Sequence, residues 1–493
     1  MNCSITIQKI LLRSPFCFLA WCALVASPTC AQTITHVPLF TLESDLGNDN
    51  FGFEAKGAGD VNGDGVPDLI VGVPNDDTNG SGAGGAQVFS GVDGSLLHNF
   101  LGDSAGDGFG FSVSGAGDVN GDGFADLIVG ASLDDNTGTD AGSARVFSGI
   151  DGSVLYNFDG TAGDFFARSV SGAGDVNGDG FADLIVAVPR DDTNGQTSGG
   201  ARVFSGVDGS VLYNFFGESA GDFFGRIVSS AGDVNGDGFA DVIIGVPGDN
   251  NGAGSARVIS GVDGSVLFNF FGDSPGDGFG RPVSEAGDVN GDGIADLIVG
   301  APGNDNNGSG SGSARVFSGV DGSVLYTFEG DSTDERFGSS VSGAGDVNGD
   351  GVADLIVGAP FDRDNGVFSG NVRVFSGVDG SIIYSFDGDA AFEQFGQSVS
   401  GVGDVNGDGV ADFLVSAFNG FTNDGFARLF VSQITGPIIL GDCNQDGVVT
   451  FADIPAFIAV VSSGGFLVEA DCNQDTVVNM DDIPFFIAIL IAN

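Results

Sequence analysis

The stretch Asp233-Val234-Asn235-Gly236-Asp237-Gly238-Phe239-Ala240-Asp241 is one of seven copies of the motif Asp-Val-Asn-Gly-Asp-Gly-x-x-Asp. Successive copies lie 55 to 58 residues apart, and they begin at Asp60, Asp118, Asp175, Asp233, Asp288, Asp346 and Asp404. A repeat of this length corresponds to one supersecondary unit that packs against its neighbours. The motif therefore predicts a fold built from seven similar units.

Each unit contains four short segments with the character of β-strands. In residues 224–271 the second segment is a continuous β-branched run, as in a strand covered on both faces, and the fourth alternates apolar and polar residues. Four antiparallel strands per unit predict an all-β seven-bladed propeller. In this unit the predicted strands are Phe224–Ser229, Asp241–Pro247, Ala256–Ser260 and Val266–Phe270.

The two ends of the repeat array complement each other. The seventh unit stops after its third strand, Ala427–Val431, whereas an isolated strand-like segment, His36–Leu42, precedes the first unit. Leu42 lies nine residues before Phe51, and Phe215, in the predicted fourth strand of the third unit, likewise lies nine residues before Phe224. We therefore predict that residues 36–42 complete the seventh blade and close a propeller that spans residues 32–434.

The nine-residue motif has the oxygen pattern of a calcium-binding loop. Oxygen-bearing side chains stand at places 1, 3, 5 and 9, place 7 can add its carbonyl, and glycine at place 6 permits a sharp turn, as in a shortened EF-hand loop. Calcium fits such a flexible cage better than magnesium does. Without a cation the three carboxylates would repel one another. The alternative is a hairpin whose Asp and Asn side chains merely satisfy backbone amides.

The predicted calcium ligands in the seven units are Asp60, Asn62, Asp64, Asp68, Asp118, Asn120, Asp122, Asp126, Asp175, Asn177, Asp179, Asp183, Asp233, Asn235, Asp237, Asp241, Asp288, Asn290, Asp292, Asp296, Asp346, Asn348, Asp350, Asp354, Asp404, Asn406, Asp408 and Asp412.

Three features of the units together resemble FG-GAP repeats, which build the propeller of integrin α-subunits. They are the opening Phe-Gly pair, the Asp-rich loop, and a Gly-Ala-Pro sequence after the second strand, as in Gly300–Pro302 and Gly358–Pro360. Ala167 replaces the glycine of the third unit, and Ser416–Phe418 departs from the last motif. The resemblance implies calcium loops on the lower face of the propeller, with partners bound on the opposite face.

A different module follows a linker at residues 435–441. Residues 442–493 contain two further loops with oxygen ligands, each followed by an apolar, helix-like segment. They resemble a dockerin, a small α-helical EF-hand-like domain, which implies a cohesin-like partner. A self-contained calcium-stabilised tail is the alternative, and a disulfide between Cys443 and Cys472 stays open. The predicted ligands are Asp442, Asn444, Asp446, Thr450, Asp453, Asp471, Asn473, Asp475, Asn479 and Asp482.

Composition and the first residues indicate an exported protein. The chain has 67 acidic and 15 basic residues, a net charge of −52, which argues against nucleic acid as a partner. Residues 1–31 have the pattern of a signal peptide, with Lys9 and Arg13 before an apolar run and small residues up to Ala31. No later apolar run is long enough to span a bilayer. We expect a secreted, extracellular or cell-surface-associated protein.

The residue after each Phe-Gly pair varies between units. The seven residues at this position are Phe53, Phe111, Arg168, Arg226, Arg281, Ser339 and Gln397. Three consecutive arginines predict a site for an anion or an acidic glycan. The alternative is that each arginine pairs with aspartates of the adjacent loops. A second series recurs in six of the seven units and is predicted to be structural: Arg145, Arg202, Arg257, Arg315, Arg373 and Arg428.

The chain offers little catalytic chemistry beyond its abundant carboxylates. Past the signal-like segment it has two histidines, His36 and His98, and it has no Gly-x-Ser-x-Gly motif. A catalytic site also needs one blade to differ sharply from the others, whereas these repeats are nearly interchangeable. We predict a non-catalytic binding or adhesion protein with an extracellular protein or glycan ligand. A carbohydrate-active hydrolase or lyase that uses a carboxylate pair is the alternative.

Overall fold

The computed structural model describes residues 33–435, apart from 45, 46, 48 and 419–423, and in it the chain forms seven four-stranded antiparallel sheets. These are the seven blades of the predicted propeller. Their strands are β1 Thr33–Glu43, β2 Ala55–Gly59, β3 Asp68–Val73, β4 Gly85–Phe89, β5 Leu96–Leu101, β6 Ser112–Gly117, β7 Asp126–Ala131, β8 Ser143–Phe147, β9 Val154–Asp159, β10 Val170–Gly174, β11 Asp183–Val188, β12 Gly200–Phe204, β13 Val211–Phe216, β14 Val228–Gly232, β15 Asp241–Val246, β16 Ser255–Ile259, β17 Val266–Phe271, β18 Val283–Gly287, β19 Asp296–Ala301, β20 Ser313–Phe317, β21 Val324–Glu329, β22 Ser340–Gly345, β23 Asp354–Ala359, β24 Asn371–Phe375, β25 Ile382–Asp387, β26 Ser398–Gly403, β27 Asp412–Phe418 and β28 Gly425–Thr435; a short helical turn, α1, covers Asp249–Gly252.

Blades 1 to 6 are consecutive groups of four strands, from β2–β5 to β22–β25. In the fourth blade, three strands lie within one residue of their predicted bounds, but the first is Val228–Gly232 rather than Phe224–Ser229. The prediction was wrong there because the chain still turns at this point. Gly225 has a φ of 71°, and the amide of Arg226 donates to the carbonyl of Phe223 at 3.0 Å.

The predicted closure of the ring is confirmed. The seventh sheet has the strand order β1-β28-β27-β26, so the N-terminal strand is the outer strand of the last blade. Leu42 and Phe40 of this strand pack in one apolar cluster with Phe51 of the first blade and Leu429 of the seventh. The strand thus links the two ends of the repeat array.

The apolar cores lie between neighbouring blades. Between blades 1 and 2, for example, Ile70 and Val88 of the first pack with Phe109 and Leu127 of the second. The phenylalanine of the Phe-Gly position is buried in all seven units. Ala167 is buried too and keeps a left-handed φ of 62°, the region that the glycines occupy at the other six positions.

Ion pairs join the outer parts of adjacent blades. Arg145 lies 2.6 Å from Asp103 in the segment that enters its blade, and Arg257, Arg315, Arg373 and Arg428 make the corresponding pairs with Glu218, Asp273, Asp331 and Asp389. Arg202 makes no ion pair among the described residues, since Thr161 takes the place of the acid. These contacts support the structural role predicted for the recurrent arginines.

Candidate functional site

The Asp-rich motifs form tight loops between the first and second strands of every blade. In the first blade the two carboxylate oxygens of Asp60 accept the amides of Gly63 and Gly65 at 2.7 and 2.9 Å. The side-chain oxygen of Asn62 accepts the amide of Asp64 at 2.9 Å. Gly65 has a φ of 85°, so the loop needs glycine here for conformational reasons. The side chains at places 1 and 3 therefore turn towards the interior of the loop.

The aspartate at place 9 begins the second strand of each blade and is fully buried. Asp68 accepts the amide of Val61 at 2.9 Å and the amide of Gly91, in the turn between strands three and four, at 3.0 Å. Burial, together with the carboxylates of Asp64 and Asp60, raises the pKa of Asp68 to about 6. Burial likewise raises the pKa of Asp354 to about 7. Three carboxylates thus converge in each loop.

This donor set fits a hard divalent cation. The hydrogen bonds show that the side chains do satisfy backbone amides, as the hairpin alternative supposed. However, a carboxylate offers about four lone-pair sites, so the one to three amide bonds that each of these carboxylates accepts leave capacity for a metal. All proposed ligands in the loop are oxygens, which calcium prefers, and the mutual repulsion of the carboxylates is what a cation would relieve.

In each of the first six blades a glycine holds the strand 3–4 turn against the loop, and in the seventh blade the amide of Ser432 donates to Asp412 instead. In the second blade the amide of Gly149 donates to Asp126 at 3.0 Å, and a Cβ at this position would collide with the carbonyl oxygen of Ala125. We expect Gly149→Ala to lower the free energy of unfolding by about 1–3 kcal/mol, because the turn must move away from the buried carboxylate. Urea denaturation measures this.

Gly163→Asn is the matched control for this change, since its Cβ would have no neighbour within 4 Å and asparagine tolerates its φ of 87°. Equal stability of the two variants would contradict the close approach of turn and loop.

On the other face, the residues that follow the Phe-Gly positions of all seven blades line one pocket of about 260 Å³: Phe53, Phe111, Arg168, Arg226, Arg281, Ser339 and Gln397. Side chains from seven blades meet only at the propeller axis. The structure therefore brings the three predicted arginines together around the mouth of the central channel.

The three arginines are not neutralised by the neighbouring loops. None of them makes an ion pair with a carboxylate in the described part of the chain; Arg168 instead lies over the ring of Phe111, at 3.8 Å from its centroid. Burial lowers the pKa of Arg168 to about 10, helped by the charges of Arg226 and Arg281, so the side chain stays cationic at neutral pH. Burial also lowers the pKa of Arg226. The local-pairing alternative is thus not what the structure shows.

Sequence analysis missed the other charged groups of this pocket. Lys56 adds a fourth cation, and Glu54 is the one carboxylate among the described lining residues. Burial raises the pKa of Glu54, although Lys56 and Arg168 oppose this. A polar groove of about 650 Å³ adjoins the pocket, shares Arg281 with it and adds Arg336 together with the carboxylates of Asp305 and Asp334. The signal for Arg336 was its departure from the repeat, since Gly108 and Gly278 stand at this position in the second and fifth units.

Several predicted sites lie outside the described residues: the signal peptide, the ligands from Asp442 to Asp482, and Cys443 with Cys472. In the part of the chain that the structure describes, no helix has the length and apolar character needed to cross a membrane.

Six stretches of the chain match the FG-GAP repeat family: residues 57–89, 109–147, 166–204, 224–259, 284–317 and 337–375. Integrin alpha-4 of Xenopus laevis is 33% identical over 173 residues, or 31% of this chain and 16% of that protein. Integrin alpha-V of Gallus gallus is 32% identical over 207 residues, or 38% and 19%. Integrin alpha-2 of Bos taurus is 36% identical over 169 residues, or 31% and 14%. The chain thus spans less than a fifth of the length of these curated relatives.

A chain of Kuenenia stuttgartiensis Hydrazine Synthase superposes with a TM-score of 0.49 and 14% identity, over 81% of this chain and 99% of that chain. Nothing about activity follows from a likeness of this degree. The sequence comparisons establish that the chain contains FG-GAP repeats and has integrin alpha homologues.

Proposed function

We propose that this FG-GAP repeat propeller is a secreted, calcium-stabilised, non-catalytic binding protein that captures an acidic group of a protein or glycan partner in its central pocket. The observation that carries the proposal is the convergence of Arg168, Arg226 and Arg281 on one pocket without carboxylate partners. Guanidinium groups are well suited to carboxylate and sulfate ligands because they offer paired donors.

The charge of the pocket supports an anionic ligand. Four cationic side chains and one carboxylate line it, in a chain whose net charge is −52. Grouping cations in a partly buried space opposes folding, since each disfavours the charge of the others. Such an arrangement is understandable where a ligand compensates the charge, and perturbed charged groups of this kind often mark functional sites.

The dimensions of the pocket favour one acidic group of a larger partner. The pocket of about 260 Å³ is below the usual range for drug-sized ligands, which is roughly 300–1,000 Å³. The adjoining groove extends the surface over the fifth and sixth blades, where Arg336 lies. A uronate, a sulfated sugar or an acidic side chain can enter the pocket while the rest of its chain follows the groove.

Calcium has a structural part in this proposal. The Asp and Asn ligands at places 1, 3, 5 and 9 of the seven loops would hold the ions on the face opposite the pocket, as the FG-GAP resemblance implies. Bound calcium would neutralise the crowded carboxylates and fix the hairpins on which the blades depend. The dockerin-like tail would tether the propeller, through a cohesin-like partner, at the cell surface or in an extracellular assembly.

The similarity to integrin alpha chains supports a non-catalytic role. The pocket itself also lacks the pair of carboxylates that glycosidases use, because Glu54 is the one acid among its described lining residues. We therefore do not retain the polysaccharide hydrolase or lyase as a second candidate.

Replacing Arg168, Arg226 and Arg281 with serine tests the binding site. Serine is the matched choice, since Ser339 already occupies this position in the sixth blade. We expect binding to polygalacturonate, a sulfated glycan or immobilised polyglutamate to weaken roughly 100-fold or more, because each charge-assisted hydrogen bond contributes about 1.5–3 kcal/mol. Surface plasmon resonance at two salt concentrations measures this, and binding by the parent protein should weaken with added salt.

The control is a triple change to serine at Arg145, Arg257 and Arg315, which removes the same charge but from ion pairs between blades. It should retain binding. If the pocket variant binds every ligand as the parent protein does, the central pocket is not the binding site.

A further inference from the structure

Three carboxylates from two blades meet at the junction of the fifth and sixth blades, away from the central pocket. Asp331 and Glu335 belong to the segment that joins β21 to β22, and Asp362 to the loop between β23 and β24. One carboxylate oxygen of each lies within 4.8 Å of the others. Glu335 and Asp362 are 1% exposed, whereas the side chain of Asp331 is 63% exposed, so the cluster is reachable from solvent.

The charges of this cluster do not balance. Arg373 lies 3.0 Å from Asp331 and 3.4 Å from Glu335, and it is the one cation that pairs with them among the described residues. Three carboxylates and one guanidinium leave two negative charges when all groups are ionised. Uncompensated charge is costly to bury. A divalent cation supplies the missing charge.

One oxygen of the cluster lacks a hydrogen-bond partner. Oδ1 of Asp362 accepts the amide of Asp364 at 2.9 Å, but Oδ2 is buried and no N–H or hydroxyl donor of the described structure reaches it; the neighbouring polar group of Asp362 is the carboxyl of Glu335. The equivalent oxygen between blades 1 and 2, Oδ2 of Asp134, accepts the hydroxyl of Ser143 at 2.6 Å. Buried carboxylate oxygens are normally satisfied in this way, so the one on Asp362 needs an explanation.

The difference arises from a single residue of the neighbouring strand. Asn371 stands where the second blade has Ser143, and its amide donates to Ser385 at 3.0 Å and to Asp387 at 2.7 Å. It therefore does not donate to Asp362. The carboxylate oxygen is left free on the side of the cluster where Glu335 and Asp331 also present oxygens.

We propose that Asp331, Glu335 and Asp362 bind a hard divalent cation, calcium in an extracellular medium, between the fifth and sixth blades. Calcium–oxygen distances of about 2.3–2.6 Å allow ligand oxygens up to about 5 Å apart, which matches the spacing of the three side chains. The site differs from the Asp-rich loops in position and in composition, because its ligands come from two blades. The ion joins the two blades, beside the ion pair of Arg373.

Anomalous diffraction from crystals of the full chain grown with Mn²⁺ tests this site directly. We expect a peak bounded by the three carboxylates. Peaks in the Asp-rich loops belong to the separate proposal for those loops and serve as an internal reference. Loop peaks without a peak between the blades would overturn the site. The carboxylates would then be relieved by a proton, since burial raises the pKa of Glu335 to about 8.

Two variants complete the test. Asp362→Asn should lose the peak between the fifth and sixth blades, keep those elsewhere, and bind one ion fewer per chain by mass spectrometry of metal content. Asp191→Asn is the matched control. Asp191 occupies the loop position of Asp362 in the third blade, where Thr161 stands in place of the acid Asp331. The metal content of this variant should not change. An undiminished peak in Asp362→Asn would also contradict the proposal.

Discussion

Removing calcium with excess EGTA should lower the melting temperature of the protein by on the order of 20 °C. If each of the seven loops holds an ion at about 100 times its dissociation constant, each contributes about 2.7 kcal/mol to the free energy of unfolding. For a propeller of this length, the sum of seven such terms corresponds to a shift of this order. Differential scanning calorimetry measures it. Re-added calcium should restore the melting temperature, and magnesium at the same concentration should not.

The chelated protein should also become less stable as the pH rises. Without metal, burial raises the pKa of Asp68 from an ordinary value of 3.8 to about 6; five equivalent aspartates behave alike, and the pKa of Asp354 rises to about 7. A raised pKa means that the folded state favours the protonated acid. The associated stability is therefore fully present below pH 3.8 and is lost as the pH rises through about 6. An unchanged melting temperature in EGTA at neutral pH would contradict calcium binding by the loops.

The number of blades, their four strands and the closing strand could be predicted from the sequence because seven copies repeat the same information. A strand that is ambiguous in one unit is defined by its counterparts, and the interval from Leu42 to Phe51 placed the first strand in the last blade. The start of the first strand in each blade could not be read in this way. Phe224 and Gly225 look like a strand, but they are a buried turn that fills the space between blades.

The candidate binding site could be predicted only in part. Repeat position placed Arg168, Arg226 and Arg281 on one ring, but whether aspartates of the adjacent loops reach them depends on side-chain directions that the motif does not contain. Glu54 and Lys56 escaped notice because the first unit, to which they belong, carries Phe53 rather than an arginine at the variable position. The proposed cation site at Asp331, Glu335 and Asp362 depends on a smaller difference still, because it arises where Asn371 replaces serine at one strand position.

Deleting His36–Leu42 should abolish cooperative folding of the propeller. The deletion removes the outer strand of the seventh blade and exposes the edge of β28, so the ring ends in an open sheet. It also removes Leu42 and Phe40 from the cluster that joins the first and seventh blades. Burial of a side chain such as Leu42 contributes about 1.5–3 kcal/mol, and the partly buried Phe40 and the lost strand pairing add to that, so the total approaches the whole stability of a typical domain. Chemical denaturation followed by circular dichroism measures the loss.

Deleting residues 436–493 provides the control, because the last described strand, β28, ends at Thr435. The shortened chain should melt as the intact propeller does.

A synthetic peptide of residues 33–43, added to the variant that lacks His36–Leu42, should restore folding if the strand acts through pairing with β28 and burial of Leu42. In a ring, each blade is stabilised by the neighbours on both sides, so the loss of one outer strand weakens two interfaces at once. Full stability of the variant that lacks this strand would contradict the prediction, because it would mean that closure of the ring contributes little to the stability of the seven blades.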